Sequence, residues 1–488
     1  MGLGVGKRKE LWALVLLFAI TSGGCTMSPK YIRPAAPIPN AYDARQTEMS
    51  TSLAPWEDFF PDQAMRHLIR IALDNNRDVR VSLLNIDKHR AQYRIQRADT
   101  LPTINTSGEA SSRHLPASLS TDGVKGVSRQ YTMELGFTSF ELDIFGRIRS
   151  LTEQSLENYY SVEEEARSAR LSLIAESASL YLQLVADREL YDVTAATVEN
   201  RRQNFEIIRS LFDEGAASGL ELSQAQTILD EARVSLAVAD TTVTRGANSL
   251  ALLLGRAIPA DIPEVRKLAD IPSLPDVSEG IPSALLERRP DILAAEHVLK
   301  GANANIGAAR ANFFPSISLT GTFGKISTDY ANLWDGTSKS WSFLPQITLP
   351  IFDMGRNTAH LKVAEADRDI AVARYEKAIQ NAFREVADAL GQRDTISAQL
   401  EAQQSLVSAC ERSYLHARAR YETGVSSYID VLEAERALFA ARSNLIAARL
   451  LREANVLALY KALGGGWDPS WAGAPVPATA REAGKTSF

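Results

Sequence analysis

Cysteine is nearly absent from this 488-residue chain, which has only Cys25 and Cys410. Two cysteines cannot build a disulfide framework, and there is no Cys-x-x-Cys to hold a metal. Aromatic residues are also scarce, 7% against 45% apolar overall, so long helices rich in Ala, Leu, Glu and Arg are favoured over sandwich or barrel cores. A basic excess is missing: 53 Lys and Arg face 59 Asp and Glu, and no basic block is interleaved with aromatics, which argues against nucleic acid as a partner. The histidines (His67, His89, His114, His297, His360, His416) are scattered without a His-x-x-x-His pair. The run "TGTFGK" lacks both the glycine spacing of a phosphate loop and a Ser or Thr after Lys325. Enzyme chemistry is therefore not expected. The acidic run Glu163-Glu164-Glu165 reads as a solvated helix face.

Long hydrophobic runs are missing too. No later segment has 18 consecutive apolar residues, so no membrane-spanning helix is expected. The N-terminus has a short run, "LWALVLLFAI" (11–20), preceded by Lys7-Arg8-Lys9 and followed by "TSGGC". That is the pattern of a secretory signal peptide, and it is too short to span a bilayer. A cysteine directly after the small residues marks a bacterial lipoprotein, with Cys25 acylated as the mature N-terminus. The usual aliphatic residue three positions before that cysteine is Ser22 here.

Proline is absent from 117 to 258 and from 351 to 468, and no glycine falls between Gly146 and Gly215. Unbroken helices are thus permitted. A helix filling the glycine-free gap would be roughly 100 Å long at about 1.5 Å per residue.

What the chain does contain is itself, twice. Gly146 of "FGR" recurs as Gly355 of "MGR", Gly215 as Gly424, and Gly255 as Gly464, each 209 residues later. Upstream the offset is 213, matching Asp78 to Asp291 and Pro102 to Pro315. Such self-similarity signals a tandem duplication. Each copy reads as a helical segment (about 62–98; about 280–312), two alternating stretches, and two long helical segments split at a glycine turn. The returning segments carry heptad seams, Leu222, Ala225, Leu229, Ala232, Leu236, Ala239 and Val431, Ala434, Leu438, Ala441, Leu445, Ala448. Large and small residues alternate there, which suits knobs-into-holes core packing.

The alternating stretches place Phe313, Pro315, Ile317, Leu319, Gly321 and Phe323 on one face, with Ser316, Ser318, Thr320 and Thr322 opposite. Trp341, Phe343, Ile347, Leu349 and Ile351 form a second apolar face, and Tyr131, Met133, Leu135 and Phe137 a third. The first strand is weaker, with mainly Ile104. Apolar-out, polar-in strands of about 10 residues mark a membrane β-barrel, although a half-buried soluble sheet alternates in the same way. Four strands cannot close a barrel, and open edges are not tolerated in lipid. Either the sheet is soluble or several chains close it together.

The run "RRPDILAAEHVLKGANANIGAARANFFPSISLTG" (288–321) closely resembles the corresponding run of TolC-like outer-membrane factors, in the OprM/NodT-type lipoprotein branch. So do "GCTMSPKYIRPAAPIPNAY" (24–42), "FELDIFGRIRS" (140–150) and "RYETGVSSYIDVLEA" (420–434). The resemblance covers roughly residues 24–466. It implies a mainly α fold with a small β part: a homotrimer with a twelve-stranded outer-membrane barrel, four strands per chain, above a coiled-coil helical tunnel in the periplasm of a Gram-negative bacterium. It further implies the exit duct of a tripartite efflux system, joined by a periplasmic adaptor to an inner-membrane transporter of the resistance-nodulation-division (RND) class. An outer-membrane component of type I secretion and a non-channel coiled-coil envelope protein are the alternatives.

On this reading the chain divides into a signal peptide (1–24), an extended lipidated segment (25–61), repeat 1 (62–259; hairpin 100–146, tip near 215), a linker (260–279), repeat 2 (280–466; hairpin 313–355, tip near 424) and a tail (467–488). The tips close the periplasmic end, with the adaptor expected at Gly215, Gly219, Gly424, Val425 and Ser426. By the resemblance, Tyr421, Ile429, Asp430 and Glu433 form the gate. Ser426 stands where some members carry a gate-locking arginine. Residues three apart share a helix face, so three chains would gather six carboxylates from Asp430 and Glu433, a weak cation site. The lipid-facing set is Tyr131, Met133, Leu135, Phe137, Trp341, Phe343, Ile347 and Leu349. No cofactor is expected beyond the lipid on Cys25.

Overall fold

The computed structural model describes residues 26–38, 54–119, 125–275, 286 and 288–465. The expected signal peptide (1–24), Cys25 and the expected tail (467–488) lie outside the described residues. The chain forms two compact units. One gathers the described residues up to Ala35 with Ile86–Glu163 and Ala294–Tyr375. The other gathers Ala36–Asn85, Glu164–Leu293 and the described residues from Glu376 on.

The first unit holds one antiparallel sheet of β1 (Asn105–Leu115), β2 (Gly126–Leu142), β3 (Ser316–Ser327) and β4 (Lys339–Thr348), in that order. The two repeats meet at its centre, where β2 of the first pairs with β3 of the second. Directly opposed residues point to the same side of a sheet. Leu135 opposes Phe323, which opposes Trp341; Phe137 opposes Gly321, which opposes Phe343; Ile317 opposes Ile347. The apolar side chains therefore share one face. On β1 that face carries only Thr106, Gly108 and Ala110, opposite Leu135, Met133 and Tyr131. The other face is polar, with the Thr322 and Ser342 hydroxyls 2.7 Å apart. The register of β2 shifts between Phe137 and Phe140, a bulge where Ser139 takes φ +55°. Among the described residues, β1 and β4 each pair along one edge only.

Residues 26–35 run along this unit without helix or strand. Pro29 O accepts from Asn303 Nδ2 at 2.8 Å, and Ser28 Oγ donates to Ala304 O at 3.3 Å. Arg33 Nη2 lies 2.9 Å from Glu296 Oε2, on the helix Pro290–Ala311.

Helices account for most of the remaining residues: α1 (Gln63–Asn75), α2 (Arg77–Ala98), α3 (Arg147–Asp213), α4 (Gly219–Leu254), α5 (Pro290–Ala311), α6 (Arg356–Glu422) and α7 (Tyr428–Ala462). α3 and α6 each run for 67 residues, one in each repeat. The single helical segment expected over 62–98 is two helices, because Asn76 interrupts it. Its Oδ1 accepts from the N–H groups of Asp78 and Val79, and its Nδ2 donates to Leu253 O. Among the described residues, the segment expected from 280 is α-helical over Pro290–Ala311.

In the second unit, Phe60, Met65, Leu68, Ile69, Leu250, Leu254 and Tyr460 build a closed core, with the Phe59 and Tyr460 rings stacked at 4.0 Å. The seam of α4 is turned inward, burying Ala225, Leu229, Ala232 and Ala239; α7 buries Val431, Leu438 and Ala441. One expectation is corrected here. Glu164 is buried and bonded by Arg167, so only part of the 163–165 run is a solvated face. Arg167 follows by one turn and neutralises the carboxylate locally, which makes its burial tolerable.

Candidate functional site

The duplication singles out two helix–turn–helix tips, both in the second unit. The first joins α3 to α4 and the second joins α6 to α7. Both chains turn by the same device. Gly215 has φ +75° and Gly424 φ +74°. Gly215 N–H donates to Phe212 O at 2.9 Å and Ala216 N–H to Leu211 O at 2.7 Å; Gly424 N–H donates to Tyr421 O at 2.9 Å and Val425 N–H to Arg420 O at 2.8 Å. These paired bonds satisfy the last helical carbonyls and require a left-handed residue, which glycine adopts without a Cβ clash.

Past the glycines the tips differ. Ser218 caps α4 through a capping box: its Oγ accepts from Glu221 N–H at 3.2 Å, and Glu221 Oε2 accepts from Ser218 N–H at 2.7 Å. The Ser218 N–H bond first, and then the Ser218 hydroxyl donated to Glu221 Oε2 at 2.9 Å, hold the Glu221 carboxyl below its ordinary range. The equivalent Ser427 makes no side-chain cap bond to α7. Asp430, which stands 209 residues after Glu221, is exposed. Glu433 is exposed one turn on. Neither carboxylate has an ion-pair or hydrogen-bond partner among the described residues.

A cluster of Ile208, Ala225, Tyr428, Val431 and Leu432 lies beneath both turns, with Ala217, Leu222 and Tyr421 packed on it. The Tyr421 and Tyr428 rings lie 5.3 Å apart, tilted by 50°. Burial and then the charge of Glu221 push the Tyr421 phenol up, so the two tips are electrostatic neighbours. Burial and then Glu435 raise Tyr428 further.

That Glu435 belongs to a feature the sequence did not reveal. Arg201 Nε on α3 lies 3.0 Å from Glu435 Oε1 on α7, with side-chain exposures of 8% and 9%. Arg201 Nη1 also donates to Ile228 O on α4 at 3.0 Å. One arginine thus ties three helices across both repeats. Glu435 Oε2 is buried without a partner. At the offset of 209, the counterparts of Arg201 and Glu435 are Cys410 and Gln226, neither a basic nor an acidic residue. A charged residue at a position whose repeat partner is neutral was the available signal.

The other expected site residues fall as follows. Gly219 is the first residue of α4, Val425 is exposed, and Ser426 is half-buried with its hydroxyl unbonded. Ile429 is exposed beside Asp430. Tyr421 is the only member of the expected gate set that joins the cluster under the turns; Ile429, Asp430 and Glu433 stay outside it. In the first unit, Trp341 (76%), Ile347 (68%), Phe343, Leu349, Met133 and Leu135 are exposed, while Tyr131 and Phe137 are half-buried. Among the described residues, no helix is long and apolar enough to cross a membrane, and no three His, Cys, Asp or Glu side chains converge on a metal position.

The outer membrane efflux protein family model matches residues 68–256 and 281–465. The chain is 44% identical over 463 residues to the toluene efflux pump outer membrane protein TtgC of Pseudomonas putida, covering 93% of this chain and 96% of that one. It is 43% identical over 461 residues to the outer membrane protein OprJ of Pseudomonas aeruginosa, covering 93% and 95%. The crystal structure of the open state of the Neisseria gonorrhoeae MtrE outer membrane channel superposes with a TM-score of 0.82 at 36% identity, covering 91% of this chain and 98% of that one.

Proposed function

The chain belongs to the outer membrane efflux protein family, and from that membership we propose that three copies of it form the outer-membrane exit duct of a tripartite efflux system. The observation that carries this reading is the sheet. It exposes a continuous apolar face, and both of its edges are unpaired. Exposed apolar area of that extent needs a cover, and open edges need partners before lipid can accept them. Three copies give twelve strands, enough for a ring with a lumen.

The long helices continue that ring as a periplasmic conduit whose tips meet an adaptor, itself joined to an inner-membrane transporter of the RND class. The cargo is small toxic compounds, drugs and organic solvents, as the name of the toluene-pump relative supports. Opening falls to the tips. Three copies of Asp430 and Glu433 form a carboxylate ring that favours cations and binds divalent ones weakly, since crowded like charges attract counterions. Cys25 carries the lipid anchor, and the hydrogen-bonded course of residues 28–33 along α5 supports an N-terminus held against the first unit.

Heat-modifiable migration of a trimer from outer-membrane fractions tests the assembly, and drug and solvent accumulation in a deletion strain tests the cargo. For the gate, Asp430→Ala with Glu433→Ala should lower single-channel cation selectivity and relieve block by divalent cations. Unchanged selectivity and block would remove both residues from the gate.

A further inference from the structure

Each of the three apolar strands carries a basic residue toward the same end and on the same face. Along β2 the face reads Phe137, Leu135, Met133, Tyr131, Arg129 and Val127, with Arg129 four residues, about 13 Å, past the level of Lys325. Along β3 it reads Ile317, Leu319, Gly321, Phe323 and then Lys325. Along β4, from Ile347 through Pro345, Phe343 and Trp341, it reaches Lys339. The register sets Lys325 directly opposite Lys339, with Met133 opposing Lys325 from the other side. Like charges placed directly across a strand pair are destabilising. No acid shares this face on any of the four strands. The Lys325 ammonium donates to Trp334 O at 2.8 Å and lies 5.3 Å from the Trp334 ring centre. Lys339 and Arg129 have no partner among the described residues.

Aromatic rings surround this basic row. Tyr131 and Tyr330 meet edge-on at 5.7 Å, and Tyr330, Trp334 and Trp341 are all exposed. Amphipathic rings mark the level of a bilayer where apolar chains give way to headgroups. The row lies at the hairpin-turn end of the strands, away from the ends where α3 and α6 begin, and so in the outer leaflet if the helices are periplasmic.

We propose that the facing pair Lys325 and Lys339, on the outside of the barrel, binds a phosphate group of a phosphorylated glycolipid of the outer leaflet. The inference rests on the barrel reading above. A phosphate between the two lysines turns a repulsive cross-strand pair into a bridged one through charge-assisted hydrogen bonds, and the exposed tryptophans cover the acyl chains below. A plain interfacial lysine would reach for water singly; two facing each other with no acid on their face fit a multivalent anion.

The test uses the full-length trimer reconstituted in phosphatidylethanolamine discs containing either bisphosphorylated lipid A or phosphatidylglycerol, with retained lipid counted by native mass spectrometry. The wild type should retain lipid A over phosphatidylglycerol. Lys325→Gln with Lys339→Gln should lose about thirtyfold in retention, what two basic residues at about 1 kcal/mol each contribute at an anionic surface. Lys325→Arg with Lys339→Arg should keep it. Channel conductance is recorded in parallel. A glutamine variant that conducts normally and holds as much lipid A as the wild type overturns the proposal alone. Equal retention of phosphatidylglycerol by the wild type also overturns it. A wild-type chain that forms no conducting trimer overturns the barrel reading and this site with it.

Discussion

The two tips reverse the chain on the same glycine geometry and then use their acids differently. At the first, Glu221 reaches back to the backbone of Ser218 and closes a capping box. At the second, Asp430 occupies the equivalent position with one methylene fewer, and Ser427 offers no cap bond. Capping boxes draw on Glu or Gln because that extra length spans the first turn. A one-carbon difference between repeats thus separates an acid used as an internal strut from an acid left to face outward. Deeper in the bundle the asymmetry recurs: Arg201 and Glu435 form a buried ion pair where the repeat-related positions hold Cys410 and Gln226.

The strongest way to break this comparison is at the ion pair. Arg201→Ala should lower stability by about 3–5 kcal/mol, because it strands a buried carboxylate, and thermal unfolding of the purified protein would register the loss. Arg201→Cys with Glu435→Gln copies the residues of the related positions and should recover most of it.

Next come the glycines. Gly215→Ala and Gly424→Ala should each cost about 1–2 kcal/mol, the penalty of a left-handed conformation for an L side chain. An added Cβ meets nothing within 4 Å at either position, so the two costs should match. Unequal melting shifts would show that the turns are not equivalent.

Smaller still is the cap. Ser218→Ala should destabilise the start of α4 by about 1 kcal/mol, whereas Ser427→Ala should change little; amide exchange across 216–224 and 425–433 would separate them.

The subtlest difference is in pH. The Glu221 carboxyl is held below its ordinary value, so its capping contribution is present above the ordinary glutamate range and is lost as pH falls through the lowered value. Amide protection at the first tip should decline over that acid window. Replacing Glu221 by Gln, which can still bridge the cap, should flatten the decline.

Much of this architecture was legible because duplication and periodicity are written in residue types. Proline-free spans bracket the long helices, glycines mark the turns, and alternation marks β2, β3 and β4; the first strand, whose Ile104 lies one residue before β1, carries no such signal and is held by pairing with β2. Other features depend on partners distant in the chain. Arg201 looks like any solvated arginine on a charged helix until Glu435, 234 residues away, is beside it. Tyr428 opens a helix in a stretch that reads as exposed tip, yet tertiary packing buries it. Asn76 breaks a helix that propensity alone would carry through, because Leu253 O on α4 holds its amide. The acids of the second tip were legible as a pair, but their availability was not, since it follows from a cap bond that Ser427 fails to make.

The unpaired borders of the sheet bear on how such a molecule is made. A solitary copy carries two rows of unsatisfied backbone groups, along β1 and β4, beside a broad greasy surface. In water those borders are templates for indiscriminate strand pairing, and in lipid they are prohibitively polar. Neither compartment is a safe resting place for a monomer. Biogenesis is therefore an assembly problem before it is an insertion problem: the borders must find strand partners at the moment the greasy surface finds its bilayer.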